Sequence, residues 1–254
     1  MLLIHMPLQP FAMEDLTILF EDEDLLVINK PAGLRVIPDG YHVEFPSIKS
    51  ILGQQYGRIF IVHRLDKGTS GILLVAKNDR SHRILNTQFQ NHEVHKVYHA
   101  ILISPTPFPA QLEVDASLRV NGDHRHRTVV DQMRGKAAAT VFELITQYRL
   151  TALVKALPKT GYTHQIRAHA LYAGFPLLGD DLYGFPSAFP RLPNDLPSFS
   201  RPALHAFQIS FVQPSSGVRL EFTCPDPPDF LEFLAHQKKM PKGIPSASVN
   251  TLAD

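Results

Sequence analysis

Short apolar runs rich in branched residues recur along this chain in pairs, joined by turns or polar loops, and few helix-length patterns separate them. A chain that delivers its strands as hairpins builds a largely antiparallel sheet, whereas a doubly wound parallel sheet needs a helix between successive strands. Residues 16–20 and 25–29 flank an acidic turn, Glu21-Asp22-Glu23-Asp24, and Lys30-Pro31-Ala32-Gly33 closes the second run. Residues 59–63 and 72–76 flank a polar loop, 64–71. The pairs 137–147 with 150–157, and 204–212 with 218–223, repeat the arrangement. Residues 94–103 read as one more strand, with Val97, His99 and Ile101 alternating against Tyr98, Ala100 and Leu102.

Helical periodicity is confined to a few places. Asp79 is placed to cap a helix carrying Ile84, Leu85 and Phe89 and ending near Asn91. Residues 163–173 read as a second helix, with Ile166, Ala170 and Ala173 on one stripe and Gly174 as its stop. A short third helix is expected at 231–234, and residues 185–202, rich in proline and aromatics, as an ordered loop. The predicted class is α+β. A single domain over 1–254 is expected, with a core of about 16–234 and tails at 1–13 and 242–254.

Composition narrows the function. With 44% apolar and 19% charged residues the chain has the balance of a soluble globular protein. No apolar run approaches the ~20 residues that span a bilayer, so no membrane partner is expected. The opening residues lack a basic leader and a small-residue cleavage site, and the lone Cys224 has no internal partner, which together point to the cytoplasm. Net charge is only +1, yet residues 58–96 and 119–136 are enriched in Lys, Arg and His. Such a face can attract a phosphate backbone, although a solvated, salt-bridged surface has the same composition. No glycine-rich phosphate loop follows any strand, which weighs against nucleotide-dependent chemistry.

Two polar constellations stand out. Residues 63–71, His-Arg-Leu-Asp-Lys-Gly-Thr-Ser-Gly, sit between two apolar runs, where Asp66 would be held by rigid strands and free to face a cleft. Asp, Gly, Thr and Ser also make ordinary turns, so the loop alone does not decide. In Thr160-Gly161-Tyr162-Thr163-His164-Gln165-Ile166-Arg167, Arg167 lies beside the apolar stripe and needs a carboxylate if it is buried. A purely structural ion pair meets that need as well as a catalytic one.

H-R-L-D-K-G-T-S-G-I-L-L-V-A-K over residues 63–77 resembles the catalytic motif of the RluA family of pseudouridine synthases. T-G-Y-T-H-Q-I-R-A-H followed by G-F-P-L-L-G-D-D-L-Y-G resembles that family's later signature, and L-L-V-I-N-K-P-A-G-L its opening motif. Lys96-Val97-Tyr98-His99-Ala100 resembles its tyrosine-bearing strand, and Leu204-His205-Ala206 its C-terminal strand. The matches run in order from about residue 16 to 230. The resemblance implies the pseudouridine synthase fold, a largely antiparallel mixed sheet flanked by a few helices around a central active-site cleft.

It also implies an isomerase that converts uridine to pseudouridine in ribosomal or transfer RNA without cofactor or metal. Asp66 would be the nucleophile, or the base that starts uracil elimination. Arg167 would ion-pair with it, and Tyr98 would stack on the base. The target base must be flipped out, and Arg64 could fill the gap or hold phosphate, with His63 and Ile166 as further substrate contacts. Two departures are visible: Tyr162 stands where the family usually has Arg, and the small N-terminal RNA-binding module of many relatives is missing from the match. The basic stretch 121–127 is a second candidate RNA contact, and a monomer is expected.

The competing readings are weaker. His124 with His126, and His92 with His95, lack the spacing of a helical zinc motif, and no cysteine cluster joins them. A hydrolase using Ser70 or Ser81 with His63 or His82 would lack the G-x-S-x-G elbow. A non-catalytic RNA-binding protein of the same fold is the remaining alternative, and the joint presence of Asp66, Tyr98 and Arg167 speaks against it.

Overall fold

The computed structural model describes residues 11–38, 45–184 and 199–239. Most of the expected loop at 185–202, and most of both expected tails, lie outside the described residues. The elements in chain order are β1 (Thr17–Glu21), β2 (Leu25–Lys30), α1 (Ile48–Tyr56), β3 (Phe60–Ile61), β4 (Ser70–Ala76) and α2 (Asp79–Gln90). Then come β5 (His95–Ile103), β6 (Gln111–Asp115), β7 (Leu118–Arg119), β8 (Val129–Val130), β9 (Ala139–Gln147) and β10 (Thr151–Pro158). The last are α3 (Gln165–Tyr172), β11 (Leu204–Val212), β12 (Arg219–Thr223) and α4 (Pro228–Lys239). The α+β class and the strand pairs are as expected.

The chain divides into two units, one of residues up to Val97 with His205–Pro225, the other of Tyr98–Leu204 with the chain from Asp226. In the first, β2 pairs antiparallel with both β1 and β4. β4 is buried at every residue, and its far edge is shared by two partners. Its C-terminal half takes β3 antiparallel, and its N-terminal half takes β11 parallel, His205 opposite Ser70 and Ala206 opposite Gly71. β12 completes the unit on β11. Leu25, Val27, Ile72 and Leu74 pack on Leu85 of α2 and on Phe211. Each such fully buried side chain contributes about 1.5–3 kcal/mol.

Gly71 is required by the parallel contact. Its φ is +108°, and an added Cβ would strike the Ala206 carbonyl oxygen and lie 2.7 Å from the Ala206 nitrogen. Both obstacles are backbone, so no side-chain shift relieves them. Gly71→Ala is expected to destabilise the protein by about 3 kcal/mol or more. A denaturant midpoint equal to the parent's would contradict this.

In the second unit β5, β10, β9 and β6 form successive antiparallel ladders, and β7 pairs with β8 in a small separate hairpin. Ile166 and Ala170 of α3 join Phe142, Val154 and Ala156 in one apolar cluster, with Ala173 packed against it. The predicted stripe therefore faces the core. Phe230, Phe233 and Leu234 of α4 cover Ile101, Ile103 and Leu178.

Several boundaries differ from expectation for local reasons. The cap of α2 is Asn78, whose side chain accepts the Ser81 N–H at 2.8 Å, so Asp79 falls in the first turn. α3 starts at Gln165 because His164 is left-handed, with φ 56°, and it stops at Gly174 with φ 84°. α4 is longer than 231–234, beginning on Pro228, whose missing N–H costs nothing in a first turn. α1 is not anticipated, since its Gly53 and branched residues dilute the helical pattern, but Ser47 caps it through the Ser50 N–H.

Candidate active site

Asp66 is partly exposed and lies between the buried side chains of Leu65 and Thr69. Its carbonyl accepts the Thr69 N–H at 3.1 Å, which closes the turn. The loop is pinned from beneath by the turn after β2. Gly33 N–H donates to the Lys67 carbonyl at 2.7 Å, and the fully buried Lys30 ammonium donates to the carbonyls of Pro31, Leu34 and Lys67 at 2.8, 2.9 and 3.4 Å. A buried ammonium is costly unless its three N–H groups find acceptors, and here three carbonyls meet them. The sequence identifies this segment as a turn; that Lys30 secures the neighbouring loop emerges only from the structure.

His63 and Arg64 have different surroundings although they adjoin. Arg64 is exposed beside Asp66. His63 stacks on Phe89 with ring centroids 4.8 Å apart, and its Nε2 accepts the Leu74 N–H at 2.9 Å. Nε2 therefore carries no proton. Burial, reinforced by the Lys96 charge, pushes the His63 imidazole down to about 3, and burial draws Lys96 itself down to about 8.

His63 binds a proton more readily in the unfolded chain than in the folded one. Its contribution to stability is complete above pH 6.5 and is lost as pH falls toward about 3. His63→Gln, which can still accept from Leu74, is expected to flatten that part of the acid limb. Equal slopes for the two proteins in urea titrations across this range would refute the assignment.

The serines of the hydrolase reading are occupied elsewhere. Ser70 Oγ is 2.9 Å from Nδ1 of buried His205, and Ser81 Oγ donates to Asp24 at 2.6 Å. Neither of these bonds is to His63 or His82. His205 Nε2 lies 3.3 Å from the Cys224 carbonyl, so that nitrogen donates and Nδ1 accepts from Ser70. The pair joins β4 to β11 immediately after the Asp66 loop.

In the second unit, Tyr98 stands on β5 opposite Ala156 of β10, and its ring packs against the apolar cluster that contains Ile166. Arg167 is only 6% exposed. Its Nε and Nη2 donate to the two oxygens of Asp180 at 2.6 and 2.7 Å, a bidentate pair with the carboxylate equally buried. The sequence reading pairs Arg167 with Asp66; within its own unit the structure supplies Asp180. A buried Arg167 requires a carboxylate, and within this unit Asp180 of Gly179-Asp180-Asp181-Leu182-Tyr183-Gly184 meets it.

Tyr183 extends this pair. Its ring lies 4.8 Å from the Arg167 guanidinium carbon, and its backbone N–H donates to Asp180 Oδ1 at 3.1 Å. Burial pushes its phenol up to about 12, so the hydroxyl stays protonated. Tyr162 packs in the adjoining cluster with Leu118, Ala138 and Ala168, while its backbone N–H donates to Gln165 Oε1. Gln165 in turn donates to the Ala139 carbonyl and to Thr140 Oγ1, fixing the start of α3 on β9.

The basic stretch is partly self-neutralised. Arg119 pairs with Asp131 at 2.8 Å, and Arg127 with Asp123 at 2.7 Å. Asp123 also accepts the backbone N–H groups of Arg125 and Arg127, which holds its carboxyl down to about 2. His124, Arg125 and His126 are left facing solvent.

Comparison with known proteins gives the chain's relatives. The family model for RNA pseudouridylate synthase matches residues 24–172. The ribosomal large subunit pseudouridine synthase D of Zymomonas mobilis is 38% identical over 225 residues, covering 84% of this chain and 70% of that protein. The protein of the same name from Pseudomonas aeruginosa is 37% identical over 232 residues, covering 87% and 71%. Among solved structures, human RNA pseudouridylate synthase domain containing 4 aligns with a TM-score of 0.70 at 26% identity, covering 89% of this chain and 94% of that one.

Proposed function

Since the chain belongs to the RNA pseudouridylate synthase family, and is thus an isomerase acting on uridines in RNA, we propose that its substrate is ribosomal RNA and that Asp66 is its catalytic carboxylate. The observation that carries the second part is the Asp66 loop itself. A partly exposed carboxylate is presented by a turn that Lys30 and Gly33 hold from below and that the Gly71 contact holds from behind. Such support gives a reacting group a fixed position at little entropic cost during the reaction.

Uridine and pseudouridine are isomers, so the chemistry breaks the bond between ribose C1′ and uracil N1, turns the base, and rejoins it through C5. A carboxylate can attack C1′ and be displaced later, or remove a ribose proton so that uracil leaves by elimination. Either route ends with loss of the C5 proton. Tyr98 is proposed to stack on the flipped base, a contact worth about 1–3 kcal/mol. Arg167 is proposed to serve the Asp66 carboxylate as its cation, and Arg64 to hold phosphate or fill the place of the flipped base.

No helix among the described residues is long and apolar enough to cross a membrane. We take the protein to act in the cytoplasm as a monomer, which light scattering of the purified chain would check. The substrate proposal rests on the names of the relatives above, and mapping pseudouridines in ribosomal and transfer RNA with and without this gene tests it. Loss of a ribosomal site is the expected result; loss confined to transfer RNA would overturn it.

A further inference from the structure

One buried hydroxyl in the second unit joins two features that the chemistry above treats separately. The Thr128 N–H donates to Tyr183 Oη at 2.9 Å, and Tyr183 Oη donates to the Thr128 carbonyl at 3.2 Å. A single phenol thus holds both backbone groups of the residue that follows the basic stretch. His164 Nδ1 is 3.2 Å from the same oxygen, and Thr128 Oγ1 donates to the Thr163 carbonyl at 2.6 Å, so the junction also reaches the start of α3. On the other side of the phenol, the ring rests against the guanidinium of Arg167.

The stretch that precedes Thr128 is built to keep its shape. Asp123 gathers the N–H groups of Arg125 and Arg127 and the Arg127 side chain, and Gly122 N–H donates to the Arg127 carbonyl at 2.7 Å. Arg127 lies 5.9 Å over the Tyr183 ring, and Arg125 Nη2 reaches the Asp181 carbonyl at 3.4 Å. The loop is therefore tied by a ring contact and a hydrogen bond to the segment that carries Asp180 and Tyr183. Exposed Arg125, His124 and His126 are the groups a phosphate backbone would meet.

We propose that Tyr183 is a positioning residue that couples engagement of RNA phosphates by residues 121–127 to the setting of the Arg167–Asp180 pair. The proposal rests on the RNA-modifying reading above and deepens it. The hydroxyl serves the loop and the ring serves Arg167, so the two halves of the side chain separate by substitution. Tyr183→Phe retains the ring and removes the hydroxyl's bonds to the Thr128 backbone and to His164. It is expected to weaken RNA affinity about tenfold, and to lower kcat by a smaller factor. Tyr183→Leu also removes the ring from Arg167 and is expected to lower kcat by about a hundredfold.

The decisive measurement is a cycle of Arg125→Ala and Tyr183→Phe, with affinity read by filter binding to a large-subunit ribosomal RNA transcript and to bulk transfer RNA. Coupling predicts that Arg125→Ala costs clearly less affinity in the Phe background than in the parent, because the loop has already lost its tie to the phenol hydroxyl. Additive losses would overturn the proposal, as would Phe and Leu variants with the same kcat and affinity. Thermal melting of each variant, with unfolded protein excluded, keeps a general loss of fold from imitating either result. If the parent modified neither RNA, the substrate assignment would fail while the cycle, read from affinity alone, still judged the coupling.

Discussion

Asp66→Asn is expected to lower pseudouridine formation by at least about a thousandfold while leaving RNA affinity within about threefold of the parent's. The amide keeps the size and most of the hydrogen-bonding reach of the carboxylate, but it can neither attack C1′ nor take a proton. Affinity should survive because phosphate contacts made by Lys, Arg and His side chains supply most of the binding free energy, and Asp66 is not among them. The loop should keep its place, since it is held by the backbone carbonyls of Asp66 and Lys67, which the substitution leaves in place. Tritium release from uridine labelled at C5 and filter binding on the same protein give the two numbers. Residual turnover above a few per cent would remove Asp66 from the chemistry. Equal loss of turnover and binding would instead make it a substrate-holding group.

How much of this was legible beforehand differs from one residue to the next. The strands were readable because each hairpin carries its own turn, and alternation over residues 94–103 fixes which side chains share a face. Asp66 stands out as a candidate because a run of specific residues around it resembles a known motif. Lys30 was not, since a lysine beside a proline turn looks like an exposed one until the fold closes over it. Gly71 could be named as a loop glycine, but the reason it must be glycine is a parallel contact with Ala206, more than a hundred residues away in the chain. Asp180 and Tyr183 stand in the later signature without a role that the sequence assigns. Their roles come from long-range packing against Arg167 and Thr128, which no local pattern encodes.

Removing the carboxylate of Asp180 should strongly destabilise the second unit. Asp180→Asn replaces the two charged oxygens that Asp180 offers to Arg167 with one neutral acceptor, and breaking such a buried pair costs about 3–5 kcal/mol. The Asn can still accept the Tyr183 N–H, which puts the expected loss near the lower figure and the fall in thermal midpoint at roughly 6–12 °C. Pairing it with Arg167→Met takes away the buried charge as well and is expected to restore most of that stability, because an apolar side chain of similar length suits a buried position better than a cation that has lost its bidentate carboxylate. Activity separates the two roles of the arginine. If Arg167 serves the reaction, the stable double variant stays at least about a hundredfold below the parent in kcat. A double variant that recovered turnover along with stability would reduce Arg167 to a structural ion pair, and the cation of the reaction would have to be sought elsewhere in the chain.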